Sequence, residues 1–367
     1  MRHWASVYLA EWLLASPGRR RYAAVDCAGR HVLTGGISAT LSRHAAVGWS
    51  CTMSTSVTAL PVVHHPSYSK PQLPTGHRFP MGVFQKVHDL LIQDKVIRAS
   101  QVQVPCDIAS DEQLHMVHTE DFVSRFSSGT LSEMEMRRIG FGEVTRHADL
   151  IERTKAEVAG TLLTAELALQ HGLACNTAGG THHAFPSFGS GFCILNDLAV
   201  AAEVLLHRKA VDRILVLDLD VHQGDGTAVC LQDSPKVFTL SMHAANNFPA
   251  RKQKSTLDVA LPDGMEDDDY LRAVAEVVPG VLQDFRPDLV LYDAGVDPHH
   301  DDRLGRLNLT DSGLMRREMQ VLDTVMAAGI PIAGNIGGGY HTDLTVLAQR
   351  HMLLHRAASQ MFVDYKL

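Results

Sequence analysis

The sequence predicts an α/β fold: a doubly wound parallel sheet with helices on both faces. Three observations carry that expectation. From about residue 60 onward, segments of helical periodicity alternate with short apolar runs. The runs ILVLDL (214–219), KVFTLSM (236–242), DLVLYDAG (288–295) and IPIAGNIGGG (330–339) are continuous rather than alternating, as strands covered on both faces are. Strand and helix then alternate to the end of the chain, which is the signature of a parallel sheet joined by helical crossovers.

In chain order, PVVHH opens the regular text as a short strand, and FPMGVFQKVHDLLIQ reads as a helix. LSEMEMRRIGFG reads as a surface segment ending in glycines. The stretch 150–172, LIERTKAEVAGTLLTAELALQHG, has apolar residues at helical spacing and a glycine stop. NDLAVAAEVLLHRK (196–209) is a helix with Asn196 or Asp197 as its cap. Further helices are expected at 267–284, 310–328 and 341–360. No repeat or low-complexity linker interrupts 61–367, so they are expected to form one domain.

Residues 1–60 differ in composition. They hold six Arg, no Lys and two acids, Glu11 and Asp26, a net +4 that leaves −12 on the remainder of a chain whose total is −8. They also carry all three tryptophans and twelve Ser or Thr. An Arg-rich, Ser-rich, acid-poor opening is the profile of an organellar transit peptide for plastid or mitochondrion. A secretory signal competes less well, because Glu11 interrupts the apolar run, and a plain extension on a cytoplasmic or nuclear protein is the third reading.

Composition narrows the function. A pI of about 6.2 argues against a direct nucleic-acid binder, and no run of 18 apolar residues predicts a membrane span. An overall acidic surface would favour a lysine-rich protein substrate. The six cysteines are scattered without a C-x-x-C pair, so neither a disulfide framework nor a cysteine zinc site is expected. Any metal must be held by carboxylate and by some of the 21 histidines.

Ligand sites in such sheets lie beyond the carboxyl ends of the strands. ILVLDL runs into DVHQGDG, DLVLYDAG into VDPHHDD, and IPIAGNI into GGGYH, three polar loops delivered to one edge. GGTHHAF (179–185), between two helical segments, can reach the same edge. In DLDVHQGDG, Asp220 and His222 stand two apart at a strand end and can point the same way. With Asp297 from the AGVDP loop as third ligand they would hold one divalent metal and leave a position open for water. Zinc, iron or cobalt could fit this set. The same residues could instead form a buried hydrogen-bond network.

The segments DLDVHQGDGTA, GGTHHAFP, GFCILND, YDAGVDPHHDDRLGRL, IGGGYH and LPTGHRFPM resemble the zinc-dependent histone deacetylase family, most closely its class IV and bacterial branches. The resemblance spans roughly residues 60–360 and implies the arginase/deacetylase fold. It implies that Asp220, His222 and Asp297 bind Zn2+, one per chain. His182 and His183 would flank the reacting water, backed by Asp218 and Asp225 respectively, and Tyr340 would polarise the substrate carbonyl. Phe192 and Phe248 would wall an acyl-lysine channel, with Gly191 and Gly338 allowing close approach. Asp218 and Ser241 match a structural K+ site of relatives. The implied partner is acylated lysine on histones or other proteins, or a small acylated amine.

Of the three His-His pairs, His182-His183 is therefore the catalytic one. His64-His65, before a proline, is expected to be a structural corner, and His299-His300 a solvated loop. An arginase-like two-metal hydrolase would need acids where this chain has Gly224 and Gly295. A non-catalytic acyl-lysine scaffold would be expected to have lost catalytic positions, and none is lost. PSFGSGF and Gly142 depart from the family pattern near the expected rim. Oligomeric state is not encoded in any motif.

Overall fold

Residues 59–367 are described by the computed structural model. The expectation for residues 1–60, transit peptide included, lies outside the described residues but for the last two. Eight parallel strands make one sheet in the order β2-β1-β3-β8-β7-β4-β5-β6. They are β1 Val62–Val63, β2 Val102–Gln103, β3 Leu173–Asn176, β4 Ile214–Asp218, β5 Val237–Ala244, β6 Leu257–Leu261, β7 Leu289–Asp293 and β8 Ile332–Asn335. Every residue of β3, β4, β5, β7 and β8 is buried, which is why these runs show no alternation.

The register fixes the site. Asp218 of β4 pairs with Ser241 of β5 on one side and Asp293 of β7 on the other. Asp293 in turn pairs with Asn335 of β8. Four polar residues of four adjacent strands thus stand at one level; Asp218, Asp293 and Asn335 end β4, β7 and β8, while β5 runs on past Ser241 to Ala244.

Among the described residues ten α-helices surround the sheet: α1 Val83–Gln93, α2 Asp111–Leu114, α3 Glu120–Ser127, α4 Glu133–Ile139, α5 Ala148–His171, α6 Asp197–His207, α7 Asp225–Cys230, α8 Asp267–Phe285, α9 Asp311–Ala327 and α10 Leu344–Asp364. Helix α5 packs on β3, β8 and α6, while α10 packs on β3, α1 and α9, and α9 on α8. Leu354 of α10 and the Cys175 thiol both lie against Gly334 of β8, so the centre of the sheet is tightly packed there.

Local chemistry explains the boundaries. Asn196 caps α6, its Oδ1 accepting from Ala199 N at 2.9 Å. The surface segment LSEMEMRRIG is a helix: Ser132 and Glu135 form a capping box and Gly140, at φ 105°, ends the turn. A strand also precedes the histidine loop. LACN (β3) is only four residues long and follows α5 after one glycine, too short to stand out from the helix text.

Candidate active site

The histidine loop is built by Asp197. Its Oδ2 accepts from Gly180 N at 3.0 Å and its Oδ1 from Thr181 N at 2.8 Å and the Thr181 hydroxyl at 2.6 Å. Gly180 has φ 79°, and a Cβ there would lie 2.6 Å from Asp293 Oδ1, so only glycine lets the loop pass this close to β7. The turn delivers His182 and His183 over the ends of β4 and β7.

The two rings lie 4.1 Å apart and each has its own carboxylate. His182 Nδ1 is 2.8 Å from Asp218 Oδ2, and His183 Nδ1 is 2.6 Å from Asp225 Oδ1. Their environments differ. Burial alone would lower the His182 pKa, but Asp218, Asp220 and Asp293 together raise it well above its usual 6.5. Asp293 Oδ2 stands 3.6 Å from His182 Nδ1, a third carboxylate in the group. Burial, helped by the neighbouring His182, lowers His183 to about 4 despite Asp225. One imidazole is thus suited to remain charged and the other to accept a proton.

Asp220, His222 and Asp297 converge as expected. His222 Nδ1 lies 3.0 Å from Asp220 Oδ1 and 3.1 Å from Asp297 Oδ2. Backbone amides orient the carboxylates: Val221 N donates to Asp297 Oδ1 and Gly338 N to Asp220 Oδ2. Asp297 Oδ2 is buried, and its 3.1 Å contact with His222 Nδ1 is an ion pair outside hydrogen-bond geometry, so the oxygen lacks a proper hydrogen bond. Burial and the Asp220 charge raise Asp297 to about 7. Two buried carboxylates, one with an orphaned oxygen, and an imidazole nitrogen within 4.8 Å of one another are a donor set for a divalent cation. Gly338 belongs to the same construction, since a Cβ there would lie 2.5 Å from both Asp220 Oδ2 and Asp297 Oδ2.

An acidic side chain has no room at either position where the two-metal arrangement would need one. A Cβ at Gly295 would collide with Asp220 Oδ2, and one at Gly224 with Asp218 Oδ2. His182, Asp218 and Asp293 also cluster, but there the His182 Nδ1 position is taken by its bond to Asp218. Ser241, level with Asp218 across the ladder, bonds His243 Nδ1 at 2.9 Å.

The two phenylalanines expected to wall a channel, Phe192 and Phe248, stand beside Tyr340 and His183. The Phe248 ring is 4.8 Å from His183 and is 44% exposed. Phe192 faces Tyr340 at 5.9 Å, with its backbone at φ 67° held by a 2.7 Å bond from its amide to Ile139 O. Gly191, at φ 53°, lies so close to His183 that a Cβ would reach its ring at 2.7 Å. Tyr340 is buried beside His222, 6.2 Å between rings, and burial plus the Asp297 and Asp220 charges keep its phenol protonated.

Two groups at the site escaped the motif reading. Asp302 Oδ2 accepts from Tyr340 N at 2.6 Å while its Oδ1 accepts from Leu304 N and Gly305 N. Leu304 O accepts from Asn247 Nδ2 at 2.6 Å. This strut joins the tyrosine loop, the metal loop and the Phe248 loop. Its only sequence signal was an acid followed by R-L-G. Asp293 was visible as a charge inside an apolar run, DLVLYDAG.

The other histidine pairs divide. His64 is buried, bonds the Thr177 hydroxyl at 2.8 Å and stacks on His88, a structural corner. His300 is exposed, but His299 is buried: its Nδ1 accepts from Asp301 N and its Nε2 is 3.3 Å from Asp311. The solvated-loop expectation is corrected for His299, because the loop folds back on Leu309 through the Leu309 amide bond to Pro298 O.

Fold and site together define a hydrolase of the arginase/deacetylase fold. The chain matches the histone deacetylase domain over residues 77–355, and it belongs to the histone deacetylase family. It is 53% identical over 302 residues to an uncharacterized protein of Picosynechococcus sp., a match spanning 82% of this chain and 99% of that protein. Acetoin utilization protein AcuC of Staphylococcus aureus is 31% identical, over 72% of this chain and 73% of AcuC. Histone deacetylase 2 of Arabidopsis thaliana is 29% identical, over 72% and 70%. Among solved structures, the HDA15 HD domain superposes with a TM-score of 0.68 at 20% identity, covering 83% of this chain and 94% of that one, a likeness of fold.

Proposed function

We propose that this protein is a zinc-dependent amide hydrolase that removes an acetyl or longer acyl group from lysine side chains of proteins. The observation that carries the reading is the Asp220–His222–Asp297 donor set with its orphaned Asp297 oxygen, set beside two histidine–carboxylate dyads and a protonated tyrosine. Zinc bound there would lower the pKa of a coordinated water to about 7 and polarise the acyl carbonyl.

The chain's own residues do the rest. His183, the neutral member of the pair, takes the proton from the attacking water at Nε2 and returns it to the leaving amine. His182, held charged by carboxylates, stabilises negative charge as it develops. Tyr340 donates its phenolic proton in a hydrogen bond to the carbonyl oxygen, a contact that strengthens in the transition state. Phe192 and Phe248 hold the apolar stem of the acyl-lysine and exclude water. Asp218 and Ser241 would share a potassium ion with neighbouring carbonyls, fixing Asp218 beneath His182.

A small acylated amine fits the same chemistry and is the second reading. The motifs also suit a class IV placement. For residues 1–60 we propose an organellar address, which their Arg-rich, Ser-rich, acid-poor composition supports. The deciding experiment incubates purified protein and zinc with acetyl-, longer acyl-lysine peptides and acetylated diamines. Release of free lysine with about one zinc per chain is expected. Full activity after exhaustive chelation, or cleavage of none of the panel, would reject the proposal.

A further inference from the structure

The molecule carries a net charge of −8, yet three loops around the site together carry +4: one Arg in 74–82, one Arg and two Lys in 245–256, and two Arg against two Asp in 298–306. Three loops reach the site. Loop 74–82 brings His77 and Phe79 within 5.9 and 5.5 Å of the Phe192 ring. Loop 245–256 carries Phe248, and loop 298–306 carries Asp302, which holds the Tyr340 amide. Each exposes an arginine: Arg78, Arg251 and Arg303, and the second loop adds Lys254. None of these four cations makes an ion pair among the described residues. Lys252 is held differently: its Nζ donates to Asn247 O at 2.5 Å and Pro249 O at 2.8 Å, fixing the ammonium on the loop beside Phe248.

The carboxylates nearby are engaged. Loops 74–82 and 245–256 contain no acid. In loop 298–306, Asp301 pairs with Arg350 at 3.1 Å, and Asp302 accepts three backbone amides. Across the mouth, Glu143 pairs with Arg146, and Asp343 caps α10. The bond from Asn247 to Leu304 sets loops 245–256 and 298–306 side by side, so Arg251 and Arg303 belong to the loops on the Phe248 side, and Arg78 to the loop that meets Phe192 through its neighbours His77 and Phe79.

We infer that the channel mouth selects acyl-lysine flanked by negative charge, an acidic peptide segment rather than a lysine-rich tail. The inference rests on the hydrolase reading above and names its substrate class. A protein acidic overall would attract lysine-rich tails from a distance, but the charges that meet residues next to the acyl-lysine are these unneutralised arginines and lysines. Each exposed charge contributes little alone; several of one sign at one opening add, and their effect is screened by salt.

The test uses the full chain with zinc and two acetyl-lysine peptides of equal length, one with Asp and Glu at the flanking positions and one with Lys and Arg. At low salt, kcat/KM is expected to favour the acidic peptide by about 10-fold or more, and raising salt to about 0.5 M should shrink the ratio several-fold. The double substitution Arg251→Glu with Arg303→Glu should abolish or reverse the preference. Equal rates, or preference for the basic peptide, overturn the inference. An uncharged acetyl-lysine dye amide separates the two levels: if it is cleaved while the peptides show no acidic preference, the hydrolase reading stands and this inference falls. If nothing is cleaved, the hydrolase reading falls, and the anisotropy of the same peptides, dye-labelled, decides the charge question. Acidic-peptide binding at lower concentration than basic would then support the acidic partner, and no difference would overturn it.

Discussion

His183 and His182 are chemically identical side chains 4.1 Å apart, and their neighbours alone separate them. His183 has one carboxylate and a charged neighbour, whereas His182 has Asp218 at 2.8 Å, Asp293 at 3.6 Å and Asp220 at 3.8 Å. His183→Ala should therefore lower kcat by roughly 10² to 10⁴, the range of a lost general base, while zinc content by elemental analysis stays near one per chain. Near-normal turnover in His183→Ala with a dead His182→Ala would reverse the assignment. Asp220→Ala is the counterpart, since it should lose metal and activity together. Asp302→Asn keeps the shape of the strut but sets an amide donor against one of its backbone amides. Because it acts through the placement of Tyr340, kcat should fall roughly 10- to 100-fold with KM and hydroxamate affinity little changed. A rise in KM with kcat intact would refute this positioning role.

At the scale of elements, the site depends on where strands stop. Asp218, Asp293 and Asn335 end β4, β7 and β8 in register, so the loops that follow these three strands start from one level. Glycines then let the loops converge. Gly338→Ala would push a methyl group to 2.5 Å from the Asp220 and Asp297 carboxylates. Folding should survive, as the residue lies in a half-buried loop beyond β8, but metal affinity should fall sharply, which metal titration followed by elemental analysis would detect. Unchanged affinity would mean that Gly338 is not part of the metal cradle. The N-cap of α6 offers a stability test. Asn196 caps the helix and also donates to Ala184 O and the Thr227 hydroxyl, all buried. Asn196→Ala should cost about 1–3 kcal/mol in urea unfolding, more than an exposed cap, because buried partners are left unpaired.

The whole molecule buries histidines far from the site, and this gives stability a pH dependence. His64, His118 and His355 are each lowered to about 4, first by burial. In the unfolded chain they titrate near 6.5. Between pH 6.5 and 4 the unfolded state binds protons that the folded state refuses, so stability is full above about 6.5 and falls as pH drops through that window. Each group adds up to about 1.4 kcal/mol per pH unit to the slope. Urea midpoints from pH 7.5 to 4.5 should fall steadily, and a flat profile would show that these rings are not held neutral. At the same scale belongs the address. Residues 1–60 fused to a fluorescent protein should enter a plastid or mitochondrion in a host with transit import, and diffuse signal would favour the plain extension.

What the sequence determined by itself was the pattern: alternating helices and continuous apolar runs, and polar glycine-rich loops at strand ends. That pattern fixed an α/β parallel sheet and brought Asp220, His222, Asp297 and the His182-His183 pair to one edge. The helix and strand periods are local, so they are legible along a single chain. The four-residue β3, the helical α4 and the burial of His299 were not, because short elements lack a period and burial depends on what packs over them. Only the tertiary structure decided the electrostatics. Asp293 beside His182, the orphaned Asp297 oxygen, the Asp302–Leu304–Asn247 strut and the unpaired arginines at the mouth all join residues distant in sequence. Charge interactions depend on distance through the folded molecule, and no spacing along the chain records that distance.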